Sequence, residues 1–122
     1  LKWYIDNLAP TATVGKVERK LDSGNTGGTL TAEVVLTDGR GISAWQYTWT
    51  DSGDTTPTSW TDGGLTATTK DGATVYATAQ VDGGKLFSKY LWVKAADNVA
   101  GETKNVSDAI CLGQYSYNLT PV

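Results

Sequence analysis

Hydrophobic and polar residues alternate with a period of two along most of the chain. Leu30, Ala32, Val34 and Leu36 alternate with Thr31, Glu33 and Val35, and Val75, Ala77, Ala79 and Val81 with Tyr76, Thr78 and Gln80. Trp45, Tyr47 and Trp49 alternate with Gln46 and Thr48. Phe87, Leu91, Val93 and Ala95 share one face of a further segment in which Lys89 is the odd member. This period sends successive side chains to opposite faces of a strand, so each segment predicts a half-buried strand. Weaker alternation predicts two more, Thr11 to Glu18 and Lys104 to Leu112, and no segment carries helical spacing. Asp-Gly pairs and their neighbours punctuate the strands at Asp22, Asp38, Asp51, Asp62, Asp71 and Asp82, with Asp97-Asn98 as a further turn signal. Both residues of an Asp-Gly pair tolerate positive φ, which suits tight turns. About seven short strands with turns throughout predict an all-β antiparallel sandwich. Its predicted core is Leu30, Ala32, Val34, Leu36, Trp49, Val75, Ala77, Leu91, Val93 and Ala95.

Composition narrows the function more than the fold. A chain of 122 residues suits one domain and can bury a self-supporting core without metal or disulfide staples. There is no His, which excludes Ser-His-Asp and Cys-His catalysis and His-ligated zinc. The net charge is −3 and the ten Lys and Arg are scattered, so no basic stripe exists for nucleic acid or for an anionic membrane surface. Cys111 is the single cysteine and cannot form an intramolecular disulfide. In the run Ala109-Ile110-Cys111-Leu112 it reads as a small buried hydrophobe. No apolar stretch approaches the ~20 residues of a transmembrane helix, and no signal-peptide pattern is present. The sequence opens on Leu1 and reads as a piece of a longer protein, with signals and anchors expected outside it.

The two ends echo each other. Leu1, Tyr4, Asn7, Leu8 and Pro10 recur in register as Leu112, Tyr115, Asn118, Leu119 and Pro121. The echo reads as one repeat boundary captured twice, as in arrays whose modules pack mainly on their neighbours. The expected organisation is a junction over 1–10, a module over 11–113, and the start of the next junction over 114–122.

Several motifs resemble the immunoglobulin-like repeats of bacterial secreted and cell-surface proteins. They are the boundary Ile5-Asp6-Asn7-Leu8-Ala9-Pro10-Thr11, the aromatic strand ending Tyr47-Thr48-Trp49, and Pro57 followed by Trp60. The fourth runs from Tyr90 through Val93-Lys94-Ala95 and Asp97 to Gly101. The likeness covers Ile5 to Gly101. Lys89 stands where such repeats often carry an aromatic residue, and Glu102 where Asn is usual. The resemblance implies an immunoglobulin-like sandwich that serves as a spacer or a binding module.

Three constellations are candidate sites. In such a topology Asp6 and Asn7 lie at the same end as Asp97 and Asn98, and their oxygens are of the kind a structural Ca²⁺ takes; the competing reading is a pair of Asx turns. If Leu91 and Val93 face the core, Tyr90 and Trp92 face outward and, with Trp60, offer rings to a glycan. The competing reading packs them under the loop that bears Trp60 or against a neighbouring module. Lys16, Glu33 and Asn105 are the residue types of a Lys–Asn isopeptide crosslink, and read more simply as solvated polar side chains. Gly83-Gly84-Lys85 lacks the spacing of a phosphate loop and reads as a hairpin turn. Asn105-Val106-Ser107 and Asn118-Leu119-Thr120 match the N-glycosylation acceptor pattern. No carboxylate pair stands in an apolar setting of the kind that tunes catalytic acids, so no enzyme is expected and no catalytic residue is assigned.

The expected function is that of a non-catalytic stalk, spacer or adhesion repeat, extracellular or on a cell surface. Its expected partners are neighbouring modules of the same chain; the alternative is a module binding a glycan or a host surface protein. Neither nucleic acid nor membrane insertion within this chain is expected, and no cofactor beyond the candidate Ca²⁺.

Overall fold

A computed structural model describes residues 10–22, 24, 26–38, 41–64, 72–97 and 107–120. They form seven strands: β1 (Thr11–Leu21), β2 (Gly27–Thr37), β3 (Ile42–Thr50), β4 (Thr61–Asp62), β5 (Gly72–Asp82), β6 (Leu86–Asp97) and β7 (Ile110–Asn118). All pairings are antiparallel, within two sheets ordered β1-β2-β5 and β4-β3-β6-β7. The expected sandwich is present. β1, β2 and β5 take the places of strands A, B and E of an immunoglobulin-like sandwich, and β3, β6 and β7 those of C, F and G. The short β4 lies beside β3 rather than beside β5.

The alternating residues fill the space between the sheets. Leu30, Ala32, Val34, Leu36, Val75, Ala77, Leu91, Val93 and Ala95 are buried as the pattern predicts, together with Ile42, Trp45, Ala79, Val81 and Phe87. Trp49 is half-buried rather than fully so. With Val17 and Tyr115 it packs against both buried clusters, which makes one core of them. Its ring meets Phe87 and Tyr115 edge-on, at centroid distances of 5.4 and 6.3 Å.

Two bulges explain where the strands depart from the sequence pattern. In β1, Val14 faces Val34 and Val17 faces Ala32, so Gly15 and Lys16 together oppose Glu33. In β7, Leu112 and Gly113 together oppose Leu91, and Gly113 has a φ of 106°. An extra residue switches the inward set from one parity to the other. Ala12 and Val14 are thus followed by Val17, and Ile110 and Leu112 by Tyr115, Tyr117 and Leu119. Simple alternation loses the strand at such a switch. β1 continues to Leu21 rather than ending at Glu18, and the last strand is Ile110–Asn118 rather than Lys104 to Leu112, of which 104–106 lie outside the described residues. Residues 114–118, expected in the next junction, therefore belong to the sandwich.

The registers fix two poles. At the proximal pole Thr11 faces Thr37, which faces Gly72, and β3 begins with Ile42 opposite Asp97. At the distal pole Leu21 faces Gly28, Gly27 faces Asp82, and Leu86 faces Asn118. β1 and β7 both run from the proximal to the distal pole along neighbouring edges of the two sheets. Each seam between the sheets is stitched by a side chain donating to an opposing carbonyl. Arg19 Nε of β1 reaches the Ser116 carbonyl of β7 at 2.6 Å, and Trp49 Nε1 of β3 reaches the Thr78 carbonyl of β5 at 3.0 Å.

Candidate functional site

β6 presents Tyr90 and Trp92 on the outer face of its sheet, as the alternation predicts, because Leu91 and Val93 point inward. The rings do not form an open platform. Residues 51–60 cross this face as a strap. The Trp92 indole donates to the Ser52 carbonyl at 2.9 Å, and Trp92 is only 6% exposed. Gly53 lies flat on the Tyr90 ring, where a Cβ would come within 2.8 Å of Cε2. Lys94 Nζ stands 4.6 Å above the Trp60 ring, a cation–π contact. Tyr90 and Trp60 are half-buried. The reading in which these aromatics pack beneath the loop bearing Trp60 is the one observed. Strand periodicity assigns a side chain to a face but says nothing about what crosses that face.

The strap folds on its own hydroxyls. Thr50 Oγ1 donates to the Ser52 carbonyl at 2.8 Å, and Ser52 Oγ accepts from the amides of Asp54 and Thr55, both at 3.1 Å. Such side-chain-to-backbone turns are what Ser and Thr offer where no ladder partner exists. Lys89, the odd member of its strand, reaches the Asp51 carboxylate at 2.7 Å and ties the strap's start to β6. Between the strap and the ends of β3 and β6 lies a groove of about 470 Å³, with Thr48, Trp49, Thr56, Pro57, Ser59 and Lys89 on its walls. A second cavity, about 230 Å³, opens on the same sheet face between Gln46, Asp62 and Lys94, over Ala44 and Ala96.

Of the candidate calcium ligands, Asp6, Asn7 and Asn98 lie outside the described residues. Asp97 ends β6 at the proximal pole and is fully buried. Nearby, Ser107 closes the chain onto β6, its amide donating to the Ala95 carbonyl at 2.7 Å and its Oγ accepting from the Ala95 amide at 2.9 Å. Among the described residues no group of three or more acidic or thiol side chains is placed to hold a metal. Of the three crosslink residues, the structure describes Lys16 and Glu33. Lys16 is exposed, Glu33 lies against Gly15 across the β1 bulge, and Asn105 is outside the described residues.

Cys111 is half-buried on the outer face, opposite Trp92. Tyr115 folds back over the β7 bulge and donates its hydroxyl to the Leu112 carbonyl at 2.6 Å. Burial pushes the Tyr115 pKa above its ordinary value, and the neighbouring Cys111 adds to the rise. Sequence reasoning missed Lys89 and the groove. The signal was visible in the density of Thr and Ser from Thr48 to Ser59, which reads as ordinary loop composition until the strap is seen to fold over the sheet.

Comparison of the chain with protein-family models, with curated proteins and with solved structures found no match.

Proposed function

We propose that the chain is a non-catalytic immunoglobulin-like repeat of a bacterial secreted or surface-anchored protein, acting as a stalk or spacer in an adhesive array. The observation that carries this reading is the placement of the two ends of the sandwich. The first strand starts at the proximal pole and the last finishes at the distal pole, the arrangement that lets modules follow one another along a line. The outgoing chain is held in that direction. The Leu119 amide donates to the Lys85 carbonyl at 2.8 Å, and the Gly84 amide to the Leu119 carbonyl at 3.0 Å. Tension between the poles runs parallel to β1 and β7, so it loads their ladders in shear. Many hydrogen bonds must then give way together, rather than one after another as in peeling. The echoed boundary sequence supports the same reading, with neighbouring modules of the same chain as partners. A glycan- or receptor-binding role for Tyr90, Trp92 and Trp60 has less support, because the strap covers them.

Single-molecule pulling tests the proposal, since forced unfolding reports the barrier along the direction of load. Handles at Thr11 and Asn118 should give one cooperative rupture at distinctly higher force than handles at Leu21 and Asn118, which share a pole and peel the sheets apart. Equal forces in the two geometries would remove the mechanical reading.

A further inference from the structure

We infer that the groove beneath the strap is a binding site for a neutral glycan. The argument starts with the hydroxyls. Those of Thr50 and Ser52 are consumed in folding the strap. Thr48, Thr55, Thr56, Thr58 and Ser59 also line the groove, and their hydroxyls make no hydrogen bond to another described residue. A hydroxyl both donates and accepts, so a wall of five matches a ligand that also carries both functions at close spacing.

Charge then narrows the class. The groove's cation and anion, Lys89 and Asp51, pair with each other at 2.7 Å. The pair leaves no net charge to attract a phosphate, a uronic acid or an amine. The half-buried Trp49 and Pro57 complete the lining and make the walls partly apolar. The volume, about 470 Å³, falls within the range of small-molecule sites. A polyhydroxyl ligand without charge satisfies all of these features, and an extended peptide meets the hydrogen-bonding requirement alone. The site is distinct from the covered rings of Tyr90 and Trp92. It is compatible with the stalk reading without depending on it, since a spacer that touches sugar on its flank still bears load through its poles.

The test titrates the whole 122-residue chain with neutral oligomers of glucose, mannose, galactose and N-acetylglucosamine, followed by backbone amide shifts and Trp fluorescence. The expected result is saturable binding of at least one sugar, with shifts confined to residues 48–59 and Lys89. The double variant Thr48→Ala/Ser59→Ala should bind about tenfold more weakly or worse through lost hydrogen bonds. Thr56→Lys, an exposed change that tolerates folding, should abolish binding by placing an unpaired charge in the groove. Tyr76→Ala, on the opposite sheet, should bind as the parent chain does. The assignment is overturned if no sugar gives a saturable response, or if the shifts centre elsewhere. Preference for a charged glycan or an extended peptide over every neutral oligomer overturns it equally.

Discussion

Tyr115 carries more of the fold than its position near the end of the chain suggests. Its ring is shared by both buried clusters, and its hydroxyl closes the β7 bulge onto the Leu112 carbonyl. Burial favours the neutral phenol, so its folded pKa lies above the unfolded value. The stabilising effect is complete below ~10, the unfolded pKa, and is lost as pH rises through the higher folded value, because the unfolded chain ionises first. Stability measured by urea unfolding should therefore fall as pH rises above that value, and Tyr115→Phe should flatten the fall. An unchanged slope in the variant would locate the alkaline sensitivity elsewhere. Gly113 illustrates a different constraint. At φ 106° its backbone is one that L side chains rarely adopt. Gly113→Ala should cost about 1–3 kcal/mol as a lower denaturation midpoint with an unchanged slope.

The strands show what the sequence could and could not reveal. β2 and β5 run in unbroken register over all eleven residues of each, and their alternation marks every buried position except Gly27 and Gly28 at the start of β2. The predicted ends of the first and last strands, Glu18 and Leu112, fall short of Leu21 and Asn118 because each strand contains one extra residue, where inward and outward exchange roles. The long-range contacts at the seams left no local trace. Trp49 reads as core by periodicity. Its actual place is a half-buried one, where an indole N–H satisfies a carbonyl of the opposite sheet. Trp49→Phe should retain most ring packing but leave that bond unmade, for a loss of about 1 kcal/mol in chemical denaturation. A loss several times larger would mean that the ring, not the bond, holds this seam. The candidate site was the least legible part. Tyr90 and Trp92 were placed on the right face, but their cover depends on the strap's path, which is set by Ser52, Gly53 and the Lys89–Asp51 pair from distant points of the chain.

Across the whole molecule, the two buried clusters are joined through Val17, Trp49 and Tyr115, so neither has a boundary along which it can melt alone. Unfolding should be two-state, with Trp fluorescence and far-ultraviolet circular dichroism tracing the same transition. Separated midpoints would mean that the clusters unfold independently. Most pairing is between distant segments, as in β2 with β5 and β3 with β6, which places refolding in the millisecond-to-second range of β-sandwiches. The bulges have one more consequence, for the lengths this sequence can tolerate. Within a regular strand, loss of one residue turns every side chain on one flank to the wrong face. At Gly15–Lys16 or Leu112–Gly113 the same deletion removes only the surplus residue, and both flanks keep their partners and their faces. These two sites are where a shortened descendant of this chain can arise in a single step and still fold.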